Sequence, residues 1–296
     1  MKLSLLGCNG FLSTAIAKYA NMRGWTLNMY GLEEPRGCTF DRFVRCNLMD
    51  SVLDCAQLLE SDVIVYAIGA GIQSSLKESS HLIYTLNVSA PVTICNSLKE
   101  LNYNGSFVTF GSVFEMGETK DEKLFVEDDI ISSTAPSPSD YVVSKRMLTR
   151  FVTSYKHQYT HWHFVIPTIY GPGENPKRLI PYTINAIRRG EELHFTAGNQ
   201  VRQYIFVNEI PKVLELAFNK RLPSGLYNIE GKETMTVKEI VRLIHLEFGS
   251  TVPKSCFGTD YRNDVGMKYL ALDGTKLRSF IPFNASVRIK DVIRMY

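Results

Sequence analysis

Through the first 166 residues, short apolar runs alternate with segments of helical period. Strands are expected over 2–6, 26–30 and 62–67, with helices over 12–22 and near 51–59 between them. A helix over 84–101, a strand over 106–110, a helix over 140–155 and a strand over 162–166 continue the series. Strands separated by helices cannot close as hairpins. Each therefore returns parallel to the last, which gives an α/β, doubly wound parallel sheet. Such a sheet takes its ligands beyond the carboxyl ends of its strands.

After residue 166 the rhythm changes. The stretch YGPGENPKRL is turn-rich, a helix is expected over 180–189, and HFTAGNQVRQYIFV has the pattern of strand, turn and strand. Helices are expected again over 237–248 and 289–295. The expected division has a dinucleotide-sized domain at 1–167 plus about 201–218. A smaller C-terminal α/β lobe at 168–200 and about 219–296 is interleaved with it and covers the reactive end of the cleft.

Composition removes several classes of function. Net charge is +3 with both signs mixed along 296 residues, so neither a nucleic-acid surface nor an acidic tail stands out. No apolar run reaches membrane-spanning length, and the apolar start is too short for a signal sequence, so a cytoplasmic, soluble protein is expected. The six cysteines are scattered without a C-x-x-C pair and are expected to be reduced and mostly buried. The six histidines form no close ligand pattern. His161 and His163 flank Trp162 on one face of an expected strand with no third ligand in view, so no metal is expected.

Two places carry chemistry. Directly after the first strand stand Gly7, Cys8, Asn9, Gly10, Phe11, Leu12 and Ser13. Glycine allows a sharp turn and a close approach to a diphosphate, and the helix behind it offers unpaired amides. Ser13 replaces the third glycine of that pattern, where a small side chain still permits helix packing. At the end of the second strand, an acid would hold the ribose hydroxyls of NAD, but the chain has Gly31, with Arg36 close behind. Room for a 2′-phosphate and a cation to pair with it favour NADP(H). Glu33 and Glu34 keep NAD(H) open.

The second place is DYVVSK, in which Tyr141 and Lys145 stand four residues apart at the start of an expected helix. A phenol titrates near 10, and an ammonium one turn away lowers that value. Tyr141 could then exchange a proton with a substrate oxygen. Ser112, at the carboxyl end of an expected strand, could hold the same oxygen.

In this arrangement the chain resembles the extended branch of the short-chain dehydrogenase/reductase superfamily, the NAD(P)-dependent sugar-nucleotide epimerases, dehydratases and ketoreductases. The resemblance implies a Rossmann-type sheet and covers nearly the whole chain. Gly7, Gly10 and Phe11 match its cofactor loop, together with the intervening Asn9 and the following Leu12. Asn47 and Leu48 stand where the adenine lies, Ala67, Ile68 and Gly69 under the nicotinamide ribose, and Asn87 at the family's helix asparagine. Ser112, five residues before Gly117, with Tyr141 and Lys145, matches the catalytic triad, whose lysine also holds the ribose. Thr168, in the loop region near IYGPG, is expected to touch cofactor and substrate. Arg178 and Leu179 match substrate contacts, Arg202 in VRQYIFVNE the arginine on the nucleotide diphosphate, and Arg262 the arginine of the final segment.

Dehydratases of this branch follow the serine with Asp-Glu, whereas this chain has Val113 and Phe114, which cannot carry protons. The expectation is therefore an NADP(H)-dependent enzyme reducing a nucleotide-linked 4-keto-6-deoxysugar. A C4-epimerase is the alternative, and a non-catalytic dinucleotide-binding regulator is a further one. The expected partner is a nucleotide-diphosphate sugar, and the expected assembly is a homodimer.

Overall fold

A computed structural model describes residues 1–72, 76–260 and 266–296. Among these residues seven strands form one sheet in the order β3-β2-β1-β4-β5-β6-β9, and every pairing within it is parallel. They are β1 (Lys2–Leu6), β2 (Thr26–Gly31), β3 (Arg42–Arg45), β4 (Val63–Tyr66), β5 (Ser106–Ser112), β6 (Thr160–Ile166) and β9 (Gly225–Asn228). All of β4 and β5 is buried, as expected for strands covered on both faces.

One face of the sheet packs on α1 (Phe11–Met22) and α7 (Ile210–Asn219), through Leu3, Leu5, Ile16, Val65, Phe164, Val213 and Leu214. The other face packs on α3 (Ala90–Glu100), through Leu6, Ile64, Tyr66, Ile94, Leu98 and Phe107. α5 (Asp140–Ser154) lies on the same side as α3. Chain order reverses between β1 and β4, so a cleft opens beyond their carboxyl ends.

A second sheet gathers β7 (Thr168–Tyr170), β8 (Val201–Phe206), β10 (Glu233–Thr236) and β11 (Tyr269–Leu270). Residues 201–206 thus pair in the second sheet, while α7 returns to α1. Behind it, α6 (Leu179–Arg189) and α8 (Val237–Glu247) bury Ile180, Ile184, Ile240 and Ile244 together. α8 starts cleanly because Thr236 accepts from the Glu239 amide at 3.1 Å and the Glu239 carboxylate accepts from the Thr236 amide at 2.7 Å.

Several elements depart from the sequence expectation. The helix near 51–59 is one 3-10 turn, Cys55–Leu58, capped by Asp54, and β3 was missed because its ends are arginines. The helix over 84–101 is a composite of α2 (Ser80–Tyr84), a π turn at Thr85–Ser89 and α3. The first strand expected in HFTAGNQ is a single bridge between Phe195 and Phe257. The final helix is α10 (Ile289–Val292) followed by a 3-10 turn. Among the described residues no helix is long and apolar enough to cross a membrane.

Candidate active site

The turn from β1 into α1 lies at the cleft. Gly7 has φ +108°, and a Cβ there would sit 3.3 Å from the Ala67 backbone, so only glycine lets the two turns touch. Ser13 earns its place at the third position: its hydroxyl donates to the Gly10 carbonyl and accepts from the Gly10 amide, both at 3.0 Å. Asn9 reaches across the groove, donating to the Glu34 carbonyl at 3.1 Å and accepting from the Arg36 amide at 2.8 Å. It ties the loop after β2 to the glycine turn. Phe11 and Leu12 are half-buried at the start of α1 and pack toward the second sheet.

The missing acid after β2 has a steric cause. A Cβ on Gly31 would lie 2.9 Å from the Cys8 sulfur, so any side chain there would have to displace it. Arg36 and Glu33 pair at 2.7 Å with 79% and 61% of their side chains exposed, so the pair costs little to exchange for another partner. Asn47 stands in the adjoining groove with Leu32, Arg45 and Asp50; its amide donates to the Asp50 carboxylate at 2.5 Å. Leu48 is half-buried beside the α3-face cluster, as is Ile68.

On the opposite wall, β4 leads into Ala67, Ile68 and Gly69. Asn87 is buried in the π turn, and its amide donates to the Ala70 carbonyl and to the Ser144 hydroxyl, each at 2.9 Å, while its oxygen accepts from the Ala70 amide at 3.0 Å. The asparagine thereby clasps this turn to α5. A Cβ on Gly69 would meet the Asn87 oxygen at 3.5 Å and Lys145 Nζ at 4.0 Å, so the turn lies directly beside the lysine. Gly71, with φ +89°, backs onto Tyr141, where a Cβ would approach the tyrosine Cβ to 3.2 Å. The sequence reading missed Gly71; the spacing Gly69-x-Gly71 was its signal.

Tyr141 and Lys145 occupy the first turns of α5, and Ser112 at the end of β5 is near enough to lower the Tyr141 phenol. Lys145 Nζ donates to the Phe110 carbonyl at 2.9 Å and lies 5.9 Å from the Tyr141 ring centre. The expected lowering of the phenol is not what this geometry gives. Burial dominates: it pushes Tyr141 up to about 12, with Ser112 opposing, and it brings Lys145 down to about 8, with the Glu115 charge opposing. Both groups are held toward their neutral forms.

Glu115 was not expected in the site. It is fully buried in the 3-10 turn after Ser112, and Oε1 accepts from the Ser112 amide at 2.7 Å. Burial raises its carboxyl above the ordinary range. Val113 is buried, and Phe114 lies 5.8 Å under the Arg202 guanidinium. Arg202 is itself buried, donating to the Met267 carbonyl at 2.7 Å and the Val201 carbonyl at 2.9 Å. Arg178 pairs with the buried Glu174 at 3.2 Å, and its charge reaches Tyr141 and lowers the phenol slightly. Leu179 opens α6 beside it. Thr168 carries a buried hydroxyl with no hydrogen-bond partner among the described residues. Arg262 lies outside the described residues.

The glycine turns at 7 and 69, the unpartnered Thr168 hydroxyl and the Tyr141–Ser112–Lys145 set fit a dinucleotide laid from Gly31 across to Lys145. Residues 3–229 match the model of the NAD dependent epimerase/dehydratase family.

The chain belongs to that family. One relative within it, a probable dTDP-glucose 4,6-dehydratase of Sinorhizobium fredii, is 22% identical over 99% of this chain and 91% of its own length. Among solved structures, MoeE5 in complex with UDP-glucuronic acid and NAD has a TM-score of 0.84 at 20% identity, over 99% of this chain and 97% of that one. A Thermus thermophilus UDP-glucose 4-epimerase complex with NAD has a TM-score of 0.81 at 16% identity, with 99% and 97% coverage. These structures establish the epimerase/dehydratase fold for this chain.

Proposed function

We propose that this chain is a nicotinamide-dinucleotide enzyme acting on a nucleotide-diphosphate sugar, and that it reduces a 4-keto-6-deoxysugar at C4. The observation that carries the reading is the gathering of Tyr141 and Lys145 on α5 with the Ser112 end of β5 beside the Gly69–Gly71 turn. No carboxylate stands at positions 113 and 114. The bound dihydronicotinamide supplies hydride. Tyr141 gives its proton to the carbonyl oxygen, Ser112 holds that oxygen, and Lys145 holds the ribose and favours the phenolate that remains. A phenol raised to about 12 begins in the form a general acid requires. Arg202 faces the diphosphate, and Arg178, within electrostatic reach of Tyr141, holds the sugar near it.

NADP(H) is the proposed dinucleotide. The support is the absence of an acid at Gly31, enforced by Cys8, and an exposed Arg36 whose pairing with Glu33 yields easily to a phosphate. The second reading is a C4-epimerase that keeps NAD. It is favoured by Glu33 at the rim and by the relatives bound to NAD. A homodimer is part of the proposal, with Val143 and Met147 exposed at 37% and 47% one turn apart on α5. Cytoplasmic placement belongs to it as well.

The test mixes the purified protein with NADPH or NADH and a panel of 4-keto sugar nucleotides. Stoichiometric oxidation of NADPH, lost in Tyr141→Phe, supports reduction. Interconversion of two sugars with no net cofactor consumption supports the epimerase. Tight dinucleotide binding with no turnover of any sugar refutes both and leaves a binding regulator.

A further inference from the structure

On the α3 face of the sheet, away from the cleft, three side chains converge that the proposed function does not use. Cys95 comes from α3, His161 from β6 and His157 from the turn between α5 and β6. Their ligand atoms all lie within 4.8 Å of one another. His161 Nδ1 is 3.2 Å from His157 Nε2 and 4.0 Å from Cys95 Sγ. We propose that Cys95, His157 and His161 form a binding site for a zinc-class divalent ion, with water in the fourth position.

The distances are close to those an ion would impose. Zinc–nitrogen bonds of about 2.0–2.1 Å and a zinc–sulfur bond of about 2.3 Å put tetrahedral nitrogens about 3.3 Å apart and nitrogen about 3.6 Å from sulfur. The observed 3.2 and 4.0 Å need only small movements. The larger adjustment falls to His157, which is half-exposed on a turn and can turn its ring. His157 and His161 also stand at the H-x3-H spacing common in zinc sites, a signal the sequence reading passed over because it paired His161 with His163.

His161 Nε2 lies 2.9 Å from Thr109 Oγ1, which lies 2.7 Å from His163 Nδ1, and His163 Nε2 lies 2.9 Å from Thr149 Oγ1. With Nε2 engaged in that chain, Nδ1 is the His161 nitrogen that faces Cys95 and His157. Cys95 would ligate as the thiolate, so one proton leaves to solvent for each ion bound. A filled site would tie α3 to β6 beneath the catalytic helix.

The experiment uses the full chain, stripped with chelator, dialysed and titrated with zinc or cobalt(II) alone. The expected result is one equivalent of metal, a thiolate-to-cobalt charge-transfer band in the near ultraviolet, and a higher Tm with zinc. Cys95→Ser should lose the band. His157→Ala, at a half-exposed position that leaves the core intact, should keep the metal-free Tm but weaken binding more than about 100-fold, beyond what an outer hydrogen-bond partner costs. A wild-type protein that retains no zinc and whose Tm zinc does not move overturns the proposal. So does a cobalt spectrum without the thiolate band, or a His157→Ala protein that binds as the wild type does. None of these readouts involves sugar or dinucleotide, so failure here leaves the proposed enzyme untouched.

Discussion

Lys145 is a cation stored in a place that disfavours cations, and replacing it with methionine should make that cost measurable. The lysine is buried, and burial brings its titration from 10.5 down to about 8. At about 1.4 kcal/mol per pH unit, that gap corresponds to about 3 kcal/mol of native-state cost. Below pH 8 the ammonium is charged in both the folded and the unfolded chain, so the whole cost is present. Between pH 8 and 10.5 the unfolded chain still binds the proton while the folded one does not, and the cost shrinks as pH rises. Above 10.5 neither form is charged and the cost is gone. Methionine keeps the length of the side chain without the charge, but it gives up the 2.9 Å bond to the Phe110 carbonyl, a loss of about 1 kcal/mol. Urea unfolding at pH 7 should therefore find Lys145→Met about 2 kcal/mol more stable than the wild type, with the advantage gone or reversed by pH 10.5. Turnover should fall by about two to four orders of magnitude in the same protein. A variant less stable at pH 7, or a stability difference that does not change with pH, would refute the placement of this charge.

Tyr141→Phe should lower kcat about 10²–10⁴-fold while dinucleotide affinity, measured by fluorescence titration, stays near the wild type. On the proposed NADP(H) preference, Gly31→Asp should not by itself shift the chain toward NAD(H), because the new Cβ meets the Cys8 sulfur at 2.9 Å. It should cost about 1–3 kcal/mol in denaturant unfolding, and the Gly31→Asp/Cys8→Ala double variant should recover stability and shift preference toward NADH. Thr168→Val should leave Tm unchanged or raised, since the lost hydroxyl has no partner among the described residues, while raising KM or the dinucleotide Kd about 2- to 12-fold.

Much of the main sheet was visible in advance because parallel strands with both faces covered announce themselves as unbroken apolar runs, as Val63–Tyr66 does. Arg42–Arg45 is an edge strand with polar ends and carries no such signal. The second sheet was blurred for a related reason: its strands are two to six residues long and draw on four distant segments. In the site, residues that share one element could be placed from spacing alone, as with Tyr141 and Lys145 on α5. What spacing could not convey was solvation. The mutual influence of phenol and ammonium was foreseen, but not that burial outweighs it and moves both toward neutrality. Glu115 was passed over because a carboxylate in a fully buried turn has no sequence signature; only the Ser112 amide and Lys145 beside it explain its presence.

The π turn that carries Asn87 accommodates one residue more than a regular helix would over the same rise. Deleting a single residue from 85–89 would let the segment relax into an ordinary helix and swing every side chain on one flank by about 100°. Asn87 would then point away from Ala70 and Ser144, and the hinge between the fourth strand and the reactive helix would come unfastened with its chemistry intact. A one-residue deletion at this point is thus a way to disable the enzyme by loosening its frame, with every reacting group still in the chain.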